Sequence, residues 1–381
     1  MEKIIRYFNI KNCIYFLIAA TALFALFFTY RHNVKSDGYI LGDWLINYQD
    51  GGFKRRGLSG SFFFLLQDLT GIKLNLLVYF FQVIIILLFF WYYFKLIKKK
   101  ETPLLYLSLL LSSIGFIGLF NCVDYVGKKE FLVFFLFSFF VYHINNDSLT
   151  KTKEYGIAAG LFIAMFFHEI TLFFTSYFIF ALYLKTGKIE PKRYLKYIVA
   201  VLIPAVCIYL FGKNINEGNS LQILQERGVI LTKGIFFWNI DERQYIKDHF
   251  KEYSLYIASF IISVLHVSFY LKYQNHRTII SILLIFAFLF SLPLFYLAID
   301  WGRWMYIHMI FIIILFGLLL KEKKPLYEPE PARFNAKFWL TVGIIMLSLT
   351  YRVEMSGKGF TWEGFFYRVF IAPVELLNKM L

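Results

Sequence analysis

Apolar positions along this chain come in long uninterrupted runs, each closed by lysines, arginines or turn residues, and not in the alternating or amphipathic patterns of a water-soluble core. The runs cover residues 13–30, 74–94, 103–120, 131–144, 155–184, 197–211, 253–271, 279–298, 304–320 and 338–350. A hydrocarbon layer is crossed by about 20 apolar helical residues. The pattern therefore predicts an all-α fold, a polytopic transmembrane helix bundle of about 10–11 membrane segments, some of them broken or half-length. It forms a single transmembrane domain over residues 1–381, with outer loops at 31–73 and 212–252 and a C-terminal interfacial segment at 351–381. Between the first two spans, Leu58 to Leu69 reads as a helix lying in the membrane interface.

The run at 155–184 is too long for one crossing, since its 30 residues would extend about 45 Å as a helix. His168 and Glu169 stand at its midpoint, where lipid excludes polar groups. Two short helices that enter and return, meeting at a polar tip, resolve both problems. This break also puts Lys185, Lys188, Lys192, Arg193 and Lys196 on the same side as Lys151 and Lys153.

Composition agrees with a membrane protein: 59% of residues are hydrophobic and 17% charged, against about 45–50% and about 25% in soluble domains. The formal charge of +15 does not call for nucleic acid, because most basic clusters sit at the ends of apolar runs, where they orient spans. By alternation the N-terminus lies in the cytoplasm, and the first run, ending in Phe28-Thr-Tyr-Arg-His32 without a small-residue cleavage site, is a retained span. Pro325, Pro329 and Pro331 stiffen an inside loop at 321–337. Cys13, Cys122 and Cys207 are too few and too scattered for a disulfide framework or a zinc site.

The same alternation gathers the unusual polar clusters on the outer face. Asp37, Asp43 and Asp50 precede Gly51-Gly52-Phe-Lys54-Arg55-Arg56 in the first outer loop. Asp124, Lys128, Lys129 and Glu130 lie between the third and fourth spans, His168-Glu169 at the broken run, and Asp300 and Arg303 before a late span. Gly51 and Gly52 permit positive φ and close backbone approach, and an Arg fork beside them suits a phosphate. Each cluster has a plainer explanation: headgroup contacts for 54–56, a solvated loop for 124–130, a satisfied polar pair for 168–169, and helical i,i+3 pairing for Asp300 and Arg303. One shared pocket accounts for all four together. Trp44, Trp238, Trp301, Trp304 and Trp362 fall at the outer boundary as an interfacial belt. His143, His266, His276 and His308 read as structural or interfacial. Neither a nucleotide-binding loop nor a zincin motif is present, and no metal ligand set is indicated, although a divalent cation is compatible with the carboxylates.

An outer-face site without nucleotide chemistry needs a substrate already activated and carried by lipid. Asp43, Asp50 and Glu169, with His168, are the candidate acid–base groups; Arg55, Arg56, Lys128, Lys129 and Arg303 are the candidate phosphate ligands; Asp124, Glu130 and Asp300 support them. A first span followed by a long acidic outer loop, an interfacial helix and later broken spans resembles the GT-C type membrane glycosyltransferases and the polymerases of O-antigen and capsule repeat units. The string 51–60 also looks like one found in membrane proteins of polysaccharide gene clusters. The resemblance implies a glycosyltransferase or polymerase of a bacterial inner membrane. Its donor would be a polyprenyl-(pyro)phosphate-linked saccharide used at the extracytoplasmic face, membrane lipid would be its other partner, and nucleic acid would be none. The competing reading is a transporter or flippase for an anionic or lipid-linked solute, whose broken helices and midplane charges would look similar.

Overall fold

The computed structural model describes residues 10–35, 38–49, 51–215, 218–322, 335–357 and 359–375. Asp37, Asp50 and the three prolines of the 321–337 loop lie outside them. Along the chain the helices are α1 (Ile10–Tyr30), α2 (Tyr39–Trp44), α3 (Gly57–Thr70), α4 (Leu74–Ile97), α5 (Leu104–Leu110), α6 (Gly118–Asn121), α7 (Glu130–Asn145), α8 (Lys151–Phe167), α9 (Thr171–Phe174), α10 (Ser176–Thr186) and α11 (Pro191–Phe211). They continue with α12 (Ser220–Glu226), α13 (Glu242–Asp248), α14 (Phe250–Leu271), α15 (Arg277–Leu297), α16 (Trp301–Leu319) and α17 (Ala336–Thr350). A two-stranded antiparallel hairpin, β1 (Arg352–Val353) with β2 (Phe360–Thr361), follows. Six of the described helices are long and apolar enough to cross a membrane: α1 with its extension to Lys35, α4, α11, α14, α15 and α16. The chain is thus a mainly helical membrane protein of several crossings.

The apolar run at 103–120 is not one helix. It winds as α5, unwinds after Leu110 and resumes as the single turn α6. Gly115 explains the break: the chain folds back over the end of α5, and a Cβ there would collide with the carbonyl oxygens of Leu109 and Leu110. The peptide N–H of Phe116 then caps Leu110 O at 3.0 Å, which satisfies a helix-end acceptor inside the protein.

The chain divides into two compact units. One holds residues 1–24, 94–125 and 241–381 and is built around α16, which is apolar on all sides and buried along most of its length, as such a helix must be. Tyr106 donates to Ile313 O at 2.9 Å, Tyr270 stacks on Phe316 at 4.6 Å, and Tyr125 stacks on Tyr306 at 4.5 Å. His266 and His308 pair with Ser348 and Ser291, each at 2.7 Å, so both are structural here.

The other unit holds residues 25–93 and 126–240, and its centre is the hairpin expected from the 155–184 run. The chain climbs through α8, breaks at His168–Ile170 and returns through α9 and α10. At the tip, His168 Nε2 comes within 4.0 Å of Glu130 at the first turn of α7. At the foot, Lys185 Nζ reaches Asp147, just past the last turn of α7, at 2.9 Å. Glu154 at the start of α8 binds Arg193 at 2.5 Å and also Lys196, both on α11. The basic residues of 185–196 and those of 151–153 therefore share one end of this unit, and Phe137 and Phe140 pack on Phe178 between the two ends at 5.0 and 5.2 Å.

Candidate functional site

The site is assembled at the tip end of the unit formed by residues 25–93 and 126–240, from four places in the sequence. Asp43 comes from α2, Arg55 and Arg56 from the loop before α3, Lys128, Lys129 and Glu130 from the start of α7, and His168 and Glu169 from the hairpin break.

Each placement has a local cause. α2 is anchored by Trp44, whose indole donates to Gly127 O at 2.7 Å and packs among Phe63, Phe81 and Phe167. Gln82 donates to the same carbonyl at 2.9 Å, so the peptide just before Lys128 and Lys129 is fixed from two sides. Trp44 is therefore buried core, not a member of an interfacial belt, and Trp304 is buried likewise. Gly51 and Gly52 do adopt positive φ, 149° and 102°. Beyond them the three cations diverge. Lys54 is buried and donates to Ser220 Oγ at 3.0 Å and Ile215 O at 3.3 Å. Arg55 stays half-exposed, 49% by side chain, with Nη1 3.8 Å from Glu169. Arg56 turns inward, placing Nη1 3.5 Å from Asp43 and Nη2 2.7 Å from Glu169.

The loop is held in this shape by the strand-like pairing of Lys213 with Lys54. Lys213 N–H donates to Phe53 O at 2.8 Å, and its ammonium reaches Gly51 O at 2.6 Å. Lys213 was not legible as a site residue, since it lies 162 positions from Gly51 among ordinary loop residues. The available hint was that the segments at 31–73 and 212–252 both carry basic residues near their starts.

The segment at 128–130 is not a solvated loop: Lys128, Lys129 and Glu130 are all buried. Lys128 lies over the Tyr39 ring at 4.5 Å and Lys129 beside the Trp44 ring at 5.8 Å, distances at which a cation gains from the ring quadrupole. Lys129 Nζ is 3.9 Å from Asp43 Oδ1. His168 Nδ1 accepts from the Ile170 N–H at 3.4 Å and stands 3.6 Å from Glu169.

The electrostatics follow from this crowding. Burial alone would raise the Asp43 carboxyl, but Lys129 and Arg56, then His168 and Lys128, outweigh it and hold the group well below its ordinary value. Burial lowers Lys129 to about 8, against the opposing pull of Asp43. The cluster thus presents an ionised carboxylate, Asp43, inside a ring of cations, while a second carboxylate, Glu169, is clamped by an Arg fork.

Three of the expected site residues lie in the other compact unit. Asp124, Asp300 and Arg303 belong to the unit of residues 1–24, 94–125 and 241–381. There Asp300 and Arg303 form their own ion pair at 2.9 Å, the i,i+3 pairing open to them from sequence. Asp50 lies outside the described residues. Among the described residues, no group of three or more His, Cys, Asp and Glu side chains is arranged to hold a metal ion.

Comparison with family models, with curated proteins and with solved structures gave no match to this chain. The functional reading therefore rests on the residues themselves.

Proposed function

We propose that the chain is a membrane glycosyltransferase, or a polymerase of saccharide repeat units, that takes its sugar from a polyprenyl-(pyro)phosphate-linked donor at the extracytoplasmic face of a bacterial inner membrane. The observation that carries this reading is Asp43: its carboxylate is buried and ionised, and neither oxygen receives a hydrogen bond. Buried carboxylates are normally satisfied by donors. One left open beside cations is equipped to accept a proton from a hydroxyl that enters the site. Glu169 is engaged by Arg56 through three hydrogen bonds and serves to position that arginine. Arg55, half-exposed at the rim, is the fork with room for a lipid phosphate.

In the reaction the acceptor O–H gives its proton to Asp43 as the oxygen bonds to the anomeric carbon. The bond from that carbon to the phosphate oxygen breaks, and its electron pair leaves on the phosphate, whose added charge Arg55 meets.

The decisive experiment uses the full chain in lipid nanodiscs with undecaprenyl phosphate carrying a panel of single sugars, and with oligosaccharide acceptors. Product formation by the wild type and its loss by about 10² to 10⁴ in Asp43→Asn supports the reading. Donor movement across proteoliposomes with no new glycosidic bond would replace it with transport.

A further inference from the structure

Asp43 and Lys129 are both buried, with side chains 8% and 0% exposed, and stand 3.9 Å apart. Neither Asp43 oxygen nor Lys129 Nζ makes a hydrogen bond. An ammonium and a carboxylate in direct contact sit about 2.7–2.9 Å apart, so these two stop short of each other by about 1 Å. Arg56 Nη1 stands 3.5 Å from the same Asp43 oxygen and supplies charge but no hydrogen bond, and leaving both ends without one inside a protein is costly.

The gap has a definite chemical complement. Its occupant has to donate one hydrogen to the carboxylate and accept one from the ammonium, and the smallest group that does both is a hydroxyl or a water. An oxygen about 2.8 Å from each atom closes a triangle on the 3.9 Å base. The two ends are held in place: Trp44, next to Asp43, is tied to Gly127 O, and the Lys129 ammonium lies against that same indole.

We propose that Asp43 Oδ1 and Lys129 Nζ form the seat for the attacking hydroxyl of the acceptor. Lys129 then stabilises the oxyanion and does not hold the donor phosphate. This rests on the glycosyl-transfer reading and assigns a second catalytic group within it. The need for such a group follows from the surroundings of Asp43. A carboxylate held ionised by neighbouring cations is a weak base, so the proton moves only as the new C–O bond forms, and negative charge on the oxygen is met meanwhile by the ammonium. The proton that Asp43 takes up passes to solvent after the product leaves.

Two measurements test this. The first is independent of activity: a substrate-free structure of the full chain in nanodiscs, at a resolution that shows ordered waters, should hold an oxygen between Asp43 Oδ1 and Lys129 Nζ. Direct contact of the two groups with no intervening density would overturn the seat. The second uses whichever undecaprenyl-phosphate sugar the wild type accepts. Lys129→Met should lower kcat by about 100-fold, the usual loss on removing an oxyanion donor, with undecaprenyl phosphate affinity by native mass spectrometry unchanged within about twofold. Arg55→Ala should instead weaken undecaprenyl phosphate binding, and lower kcat as well, since Arg55 also meets the charge on the departing phosphate. Lys129→Arg, which keeps the cation should the Met variant fail to fold, should retain part of kcat and shift the alkaline limb of its pH profile upward. A Lys129→Met protein that keeps kcat and loses undecaprenyl phosphate binding would make Lys129 a donor ligand and end the proposal. If the wild type uses no donor in the panel, the glycosyl-transfer reading fails while the first measurement still decides the seat.

Discussion

Arg56 adopts a left-handed backbone, φ 66°, and from it places Nε 2.8 Å and Nη2 2.7 Å from the two oxygens of Glu169, 113 residues away. A side chain in that conformation carries strain that its surroundings have to offset, and here the offset is this bidentate pair together with Asp43. Arg56→Ala should therefore destabilise the protein by about 3 kcal/mol, because it leaves two carboxylates without their shared cation. Arg56→Lys should recover only part, as the fork is lost. Thermal unfolding in detergent, followed by tryptophan fluorescence, measures both.

Gly60 lets α3 pass directly under the turn after α2, and a Cβ there would collide with the carbonyl oxygens of Leu45 and Ile46. Gly60→Ala should cost at least about 1–3 kcal/mol by forced displacement and should lower activity, because the same turn follows Asp43. Gly156→Ala, on α8 with open space around it, should be neutral or stabilise by about 0.5–1 kcal/mol. If both substitutions behave alike, the close approach of α3 to residues 45–46 is wrong.

The pH dependence of stability and of activity should diverge. Lys129 is faced by Asp43, Arg56, Glu169 and Glu130, and burial lowers it to about 8 from 10.5. The folded state thus holds this proton less tightly than the unfolded chain. The resulting penalty is full below about 8 and is relieved as pH rises towards 10.5. Asp43 behaves oppositely: its depressed value adds stability above 3.8 that is lost in stronger acid. Transfer needs Lys129 charged, so between about pH 8 and pH 10 activity should fall while the contribution of Lys129 to stability improves. An activity optimum above pH 10 would contradict the role given to Lys129.

At the foot of the hairpin, Glu154→Gln removes the carboxylate that Arg193 and Lys196 share and leaves Arg193 with Glu190 alone. The expected cost is about 1–3 kcal/mol, with donor affinity unchanged because the tip is untouched. Loss of undecaprenyl phosphate binding in a folded Glu154→Gln protein would mean that the two ends of the hairpin are coupled.

Sidedness is tested in a chain whose three cysteines are replaced. Asn214→Cys, beside the paired Lys213, should react with impermeant maleimide added to intact cells, and Lys188→Cys should react only after permeabilisation. The opposite pattern would place the site on the cytoplasmic side.

What could be read from the sequence were features governed by the chain's own neighbourhood. The apolar runs gave the helices within a few residues, and a 30-residue stretch interrupted by His168 and Glu169 gave the hairpin, because lipid thickness and polar burial constrain it locally. The glycines at 51 and 52 announced their backbone. What could not be read was set by distant partners. Nothing in Lys54-Arg55-Arg56 distinguishes the cation that turns to Ser220 from the one that turns to Glu169. Nothing marks Asp124, Asp300 and Arg303 as belonging to a different unit from Lys128. The run at 103–120 misled because the apolar residues around Gly115 look helical, and only the packing inside its unit makes the chain double back.

The turn at His168–Ile170 also bears on how the protein is synthesised. A machinery that released helices into lipid singly would strand α8 with a polar end in hydrocarbon, since Ile170 N–H donates to the His168 ring, the Thr171 hydroxyl donates to the His168 carbonyl, and Glu130 on α7 faces the ring. Both arms therefore have to leave the translocation channel together, after residue 186 has emerged from the ribosome. A nascent chain arrested between residues 171 and 186 should remain beside the channel, open to protease, although α8 is already complete.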